Sequence, residues 1–302
     1  MAQLPDKMAK FVPDVTTNRW VIIAEGRSKR PQEVKKAPGV EKICVFCPGF
    51  EKIPGEELYR IGPGAPYEPG WQVRVIKNKY PITDFHEVII HSPDDKLDID
   101  RLPLEQAHRI LLTYRERYNE NAKNGHVLIF NNVGEQAGAS INHPHSQLVV
   151  FPRQINVEAL ALEPVANIVY DNRHFVTFCP EFSQWPFEMW IAPKVRNQTF
   201  GQISSEALGD LAVVLQDALR RLLGHLGAGG HIHPGVPMVT FKDGPSYNYI
   251  IHFGQDWYLR IIPRLIHRAG FEMGTGVSVN IIDPVDAAEI LRQEVKETPP
   301  KE

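Results

Sequence analysis

The sequence predicts an α+β fold, a duplicated unit whose sheet is mostly antiparallel and flanked by helices. Two observations carry this. A strand–helix–strand–strand order is legible in the first half and again in the second. The strand-like pieces are short and rich in β-branched and aromatic residues, whereas two longer stretches carry apolar residues at helical spacing. The chain divides into units at 1–165 and 166–302, which share the order of their elements more than their residues.

Each element follows in turn. Residues 1–85 are rich in Pro and Gly, with strand-like pieces at Trp20–Ala24 and Trp71–Ile76. His86–His91 reads as a strand. A helix follows at about 103–123, with Ala107, Ile110, Leu111 and Tyr114 on one face. His126–Phe130 and Gln147–Phe151 are strands separated by a glycine-containing loop. The second unit opens with a strand at Phe187–Ala192. Its helix, at about 204–225, carries Leu208, Leu211, Leu215, Leu219 and Leu222. Strands are expected at Val236–Phe241, Tyr247–His252 and Trp257–Ile262. A last helix is expected at about 284–296, with Ala287, Ile290 and Leu291 inward, and a frayed tail at 297–302.

Composition narrows the function. With 302 residues, 43% hydrophobic and 23% charged, the chain has the profile of a folded globular protein rather than a disordered or fibrous one. A net charge of −3 argues against non-specific nucleic-acid binding, although a few clustered arginines would suffice for an anionic small ligand. No apolar run is long enough to cross a membrane, and Met1–Lys7 lacks the apolar core of a signal peptide, so a cytoplasmic location is expected. Three cysteines do not make a disulfide framework, but Cys44 and Cys47 form a Cys-x-x-Cys pair.

The chemistry is concentrated in Phe130–Gln147. Gly134, Gly138 and Ala139 let backbone approach a ligand closely, and Ser140 offers a hydroxyl. In extended chain, residues i and i+2 face the same way, so His143, His145 and Gln147 are expected on one surface. Three polar side chains ahead of the apolar run Leu148–Phe151 are expensive to bury without a use.

These residues resemble the galactose-1-phosphate uridylyltransferase family of the histidine-triad superfamily. The resemblance rests on Asn132, Gly134, Gly138, Ser140 and His143-Pro144-His145-Ser146-Gln147. Further segments match in the same order: Arg27–Pro31, Cys44-x-x-Cys47, Val73–Pro81, Trp185–Glu188, Pro245–Tyr249 and Ala269–Gly276. It implies two histidine-triad-like units, the first catalytic and the second degenerate and contacting substrate. It also implies a nucleotidyl transfer in which His145 attacks the α-phosphorus of a nucleotide-sugar and carries the nucleotide to a second phosphate. Neutral imidazole is nucleophilic near pH 7, and its other nitrogen should donate to a backbone carbonyl. Gln147 and Ser140 resemble the groups that hydrogen-bond the phosphoryl oxygens. Asn132, Arg27 and Arg30 resemble phosphate- and nucleotide-side contacts, and Gly138 lies in the same loop. Asn78, by itself a turn residue, falls in a matched segment and is counted with them. Phe271, Glu272 and Asn280 resemble the part that reads hexose hydroxyls, from this subunit or a partner, and relatives are commonly dimers.

The resemblance also nominates a zinc site. Cys44 and Cys47 form a knuckle and His143 a third ligand, while Asp95 stands where a fourth is expected, with His91 a nearby substitute. The competing view is two free thiols in a reducing cytoplasm. No second metal site is expected, because Asp256–Arg260 lacks the family's His-x-His and the segment from Phe151 to His174 is short. His231 and His233 read as solvated residues in a Gly/Pro loop, and His252 as structural or substrate-lining. Three activities remain open. They are a uridylyltransferase on UDP-glucose and hexose 1-phosphate, a phosphorylase splitting ADP-glucose or a dinucleoside polyphosphate with phosphate, and a non-catalytic nucleotide sensor.

Overall fold

A computed structural model describes residues 9–14, 19–24, 27, 44–155, 165–227 and 244–293. Arg30, His231, His233, the expected strand at 236–241 and the tail lie outside them.

The chain opens with a two-stranded antiparallel ribbon, β1 (Lys10–Asp14) and β2 (Arg19–Ile23). The first unit then contributes β3 (Glu57–Ile61), β4 (Val73–Lys77), β5 (His86–Ile90), helix α1 (Leu104–Asn121), β6 (His126–Val133) and β7 (His145–Phe151). The second supplies β8 (Ile168–Asp171), β9 (Phe175–Phe178), β10 (Met189–Pro193), helix α2 (Ser205–Gly227), β11 (Tyr247–Ile251) and β12 (Leu259–Pro263). Two short helices, α3 (Gly270–Thr275) and α4 (Pro284–Arg292), follow, the latter capped by Asp283, which accepts from the Val285 amide at 2.8 Å.

These strands form one ten-stranded sheet in the order β3-β4-β5-β7-β6-β11-β12-β10-β9-β8. The order is the same within each half, read inward from the two edges. The halves join where β6 pairs antiparallel with β11, with Asn132 opposite Asn248. Both long helices pack against one face of the sheet, and α2 is tied to the connection before α1: Gln216 donates to the carbonyls of Ile99 and Leu102 at 2.8 Å. The leucine stripe of α2 and Ala107, Ile110, Leu111 and Tyr114 of α1 are buried in one core with Val127, Ile129, Leu148 and Val150. Among the described residues no helix is long and apolar enough to cross a membrane.

The expected strands are present wherever they are described, with shifted ends. β6 runs on to Val133 and β7 starts at His145 rather than Gln147, because pairing of Asn131 with Ser146 and of Ile90 with His145 extends the ladder into polar sequence. Four strands, β1, β3, β8 and β9, and helix α3 escape a reading by pattern. β3, β8 and β9 lie in the outer part of the sheet, where short pieces are held by neighbours rather than by alternation of their own.

A buried polar network lies on the helix side of β7. Ser146 sits 2.7 Å from His91 Nε2 and also contacts the hydroxyls of Tyr114 and Tyr249. Asn131 donates to the His145 carbonyl at 3.1 Å. Tyr247 donates to Asp98 at 3.0 Å, and the His91 ring lies 3.8 Å from the same carboxylate. Burial by itself would raise the carboxyl pKa of Asp98, but contacts with His91, the Ile99 amide and Tyr247 outweigh it and hold the group below its ordinary value. A depressed carboxyl contributes stability that is complete above about pH 4 and is lost as pH falls through the folded-state value. Urea unfolding between pH 7 and 3 should therefore show wild-type stability falling below about pH 4 at up to about 1.4 kcal/mol per pH unit for this group. Asp98→Asn should start lower at pH 7 and fall less steeply there. Equal acid slopes would assign the acid sensitivity to other carboxylates.

Candidate active site

The site lies on the sheet face opposite the helices, over β4, β5 and β7. A cavity of about 220 Å³ is lined on its polar side by Asn78, Lys79, Tyr80, Ser140, His145 and Gln147 and walled by Phe46, Ile53, Ile76 and Val88. His145 and Gln147 reach it because they alternate along β7, while Ser146 between them turns into the core network. His143 departs from the expected common surface. It precedes the strand, so the alternation does not govern it, and its ring is directed to the thiols instead.

Histidine orientation is set by hydrogen bonds. Nδ1 of His145 lies 2.8 Å from the His143 carbonyl, which can only accept, so Nδ1 carries the proton and Nε2 the lone pair. Phe46 packs edge-on against the rings of both His145 and His143, at centroid distances of 5.3 and 6.1 Å. Gln147 accepts from His86, whose Nε2 is 3.0 Å from Oε1. The 78–82 turn closes the cavity: Asn78 Oδ1 accepts from the Tyr80 amide at 2.8 Å, and Arg27 donates to the Tyr80 carbonyl at 2.9 Å. Arg27 is thereby held at the cavity rim across more than fifty residues of chain.

The remaining sequence-predicted residues divide. Ser140 lines the cavity. Gly138, at φ +81°, ends the short turn 135–137 and has no atom within 4 Å of where a Cβ would stand, so it leaves open space. Asn132 accepts from Asn248 at 2.8 Å on the adjoining strand, outside the cavity lining. Phe271, Glu272 and Asn280 do not line the cavity. Phe271 is exposed, Glu272 accepts from the Ala269 amide at 3.0 Å, and Asn280 donates to the Ser183 carbonyl at 3.0 Å. His252 stacks on Tyr258 at 4.7 Å, likewise away from the cavity. His86, Lys79 and Tyr80 are site residues that sequence reasoning missed. His86 was legible only as the first residue of an apolar strand, since the pairing that brings it to Gln147 spans 61 positions.

The knuckle forms one wall of the same site. The Cys47 amide donates to the Cys44 carbonyl at 3.1 Å, and Glu51 braces the turn through the Gly49 amide and the Trp71 indole, at 2.9 and 3.1 Å. Nε2 of His143 lies 2.8 Å from the Ser92 carbonyl and so carries the proton, leaving the Nδ1 lone pair aimed at the sulfurs of Cys44 and Cys47, at 3.4 and 3.6 Å. The three ligand atoms lie within 4.8 Å of one another and can hold a metal ion. The donor set fits zinc: two sulfurs and an imidazole nitrogen whose other nitrogen is fixed by a carbonyl. Burial and the neighbouring Cys44 push the Cys47 thiol up to about 12, and Asp95 adds to the rise, but Asp95 is not among the three residues whose ligand atoms cluster here. His91 is not a substitute fourth ligand. It is fully buried on the helix side of the sheet, bonded to Ser146 and Tyr114.

The sheet order, repeated in two halves, is the duplicated α+β arrangement that the resemblance to histidine-triad-like proteins implies, with a cavity-facing histidine beside a glycine-bearing loop. Residues 85–151 match the family model for galactose-1-phosphate uridyl transferase, N-terminal domain. The chain is 28% identical to an ADP-glucose phosphorylase of Arabidopsis thaliana, over 93% of this chain and 91% of that one. It is 24% identical to a galactose-1-phosphate uridylyltransferase of Thermotoga maritima, over 92% and 96%. A crystal structure of an Arabidopsis thaliana ADP-glucose phosphorylase with bound ADP-glucose superposes with a TM-score of 0.70 at 26% identity, covering 95% of this chain and 99% of that one. Along most of its length the chain is therefore similar to ADP-glucose phosphorylases and galactose-1-phosphate uridylyltransferases.

Proposed function

We propose that this enzyme transfers a nucleoside monophosphate between two phosphates through a covalent intermediate on His145. The observation that carries it is the 2.8 Å bond from Nδ1 to the His143 carbonyl, which leaves the Nε2 lone pair as the nucleophile of a residue lining the cavity. Nε2 attacks the α-phosphorus of a nucleotide-sugar. The new P–N bond forms as the P–O bond to the sugar phosphate breaks, and the electron pair leaves on the sugar phosphate oxygen. The positive charge that develops on the ring is shared with the carbonyl behind Nδ1. An oxygen of the second phosphate then attacks phosphorus, the P–N bond breaks, and neutral imidazole is restored. Gln147 and Ser140 are the candidate donors to the phosphoryl oxygens, where negative charge accumulates. Arg27, Lys79 and Asn78 line or brace the rim where a nucleotide would enter, and Arg30, Asn132 and Gly138 are assigned to the same ligand by family resemblance.

The donor is a nucleotide-sugar in the two activities that the matched relatives of greatest coverage carry. A uridylyltransferase passes the nucleotide from UDP-glucose to a hexose 1-phosphate, and a phosphorylase passes it to inorganic phosphate. The higher identity to the plant ADP-glucose phosphorylase than to the bacterial uridylyltransferase favours the second reading. Cys44, Cys47 and His143 would hold zinc, with Asp95 as the fourth ligand, and the ion would tie the knuckle to the segment preceding β7. A homodimer accounts for two features together. Phe271, Met273, Val277, Val279 and Ile281 are exposed, and the candidate sugar-reading segment misses its own chain's cavity, so a second copy would supply it. A cytoplasmic location suits three cysteines that form no disulfide with one another.

Four experiments test this reading. Incubation with labelled UDP-glucose and ADP-glucose should give an acid-labile, alkali-stable adduct that is absent in His145→Ala, with turnover falling by at least about 10³-fold. Absence of an adduct with any donor would favour a nucleotide sensor. The same preparation, given galactose 1-phosphate or inorganic phosphate as acceptor, separates transferase from phosphorylase. Metal analysis should find one zinc per chain, and Cys44→Ser should lose it and melt several degrees lower; equal melting temperatures would argue for free thiols. Light scattering should give twice the chain's mass for the wild type, and Met273→Lys should shift it toward the monomer.

A further inference from the structure

We infer that His86 is a positioning residue that holds the cavity rim through one ring nitrogen and the Gln147 amide through the other. The inference rests on the nucleotidyl-histidine reading above and adds to it a residue that no sequence motif nominated. His86 is buried at the start of β5, where it pairs with Val149 of β7. Its Nδ1 accepts from the Ile82 amide at 2.9 Å. A backbone N–H can only donate, so Nδ1 bears no proton, and in the neutral ring the hydrogen is on Nε2.

That assignment decides the orientation of Gln147. Nε2–H can donate only to an oxygen, and Gln147 Oε1 lies 3.0 Å away. Asn78 Nδ2 is also 3.1 Å from Nε2, a donor facing a donor rather than a hydrogen bond, because the Tyr80 amide on Asn78 Oδ1 turns the NH₂ group that way. With its oxygen bound to His86, Gln147 turns its NH₂ group the other way, as a donor for an anionic oxygen in the cavity. A flipped amide would direct its oxygen toward that anion and repel it. The same ring sets the rim. The Ile82 amide on Nδ1, together with the Asn78 amide donating to the His86 carbonyl at 2.8 Å, folds the turn that carries Asn78, Lys79 and Tyr80.

The two nitrogens can be separated by substitution. Asparagine carries its amide oxygen near the place of Nδ1, and glutamine its amide nitrogen near the place of Nε2. His86→Asn therefore keeps the rim bond and loses the donor to Gln147: kcat should fall about tenfold or more while the donor KM stays within about twofold. His86→Gln keeps the donor and loses the rim bond, so kcat should stay within about threefold while KM rises about fivefold. Both variants should melt close to each other. In a Gln147→Ala background, His86→Asn should have no further effect on kcat. Nitrogen NMR of the wild-type ring should report the Nε2–H tautomer without reference to turnover.

The role of His86 is overturned if His86→Asn costs the same factor in kcat with and without Gln147, if both variants change kcat and KM alike, or if the ring is the Nδ1–H tautomer. The adduct on wild-type His145 tests the reading beneath it separately. An adduct with additive losses removes His86 alone, whereas no adduct removes both.

Discussion

The strict alternation of side chains along β7 is the constraint on which the rest depends. β7 lies between β5 and β6, so its register is held on both sides, with His145 opposite Ile90 and Ser146 opposite Asn131. His145 and Gln147 face the cavity, and Ser146 and Leu148 face the core. A slip of one residue would bury the imidazole among Tyr114, Tyr249 and His91 and turn Leu148 toward the cavity. The buried network guards against that slip, because Ser146 is the partner that these side chains require. A polar cluster inside the core is therefore part of how the cavity is aimed.

Three histidines close together in space receive different tasks from the atom that binds their second nitrogen. His145 is tied at Nδ1 and His143 at Nε2, each by a backbone carbonyl, so one offers its lone pair toward the cavity and the other toward two sulfurs. His86 is tied at Nδ1 by an amide and donates from Nε2. Residue type is identical in all three, and the local backbone makes the distinction.

The second half of the sheet keeps the strand order and uses its open face differently. Where the first half has the cavity, the second has Trp190 stacked on Tyr258 at 3.9 Å and Tyr258 on His252 at 4.7 Å. Glu188 accepts from Arg260 and from the Trp190 indole at 2.7 and 2.8 Å. Closed aromatic packing satisfies this face internally. The duplication thus extends the sheet and completes its core, while the candidate chemistry stays on the first half.

Much of this was legible from residue order. The leucine stripe of α2, the amphipathic face of α1 and the alternation that aims His145 and Gln147 are local periodicities, and local periodicity survives folding. The motif around Ser140, His143 and His145 and the Cys44–Cys47 pair stand out by residue type and spacing, and their proposed chemistry comes from the family resemblance. Tertiary structure decided what depends on pairing across long separations. It joined His86 to Gln147, brought His143 to the knuckle, turned His91 into the core and left Phe271, Glu272 and Asn280 outside their own chain's cavity. Strands of four or five residues such as β3, β8 and β9 are too short to carry a periodic signal of their own, and their neighbours hold them in the sheet. A side chain's direction at a strand end is set by where the ladder begins, and that is a property of the partner strands.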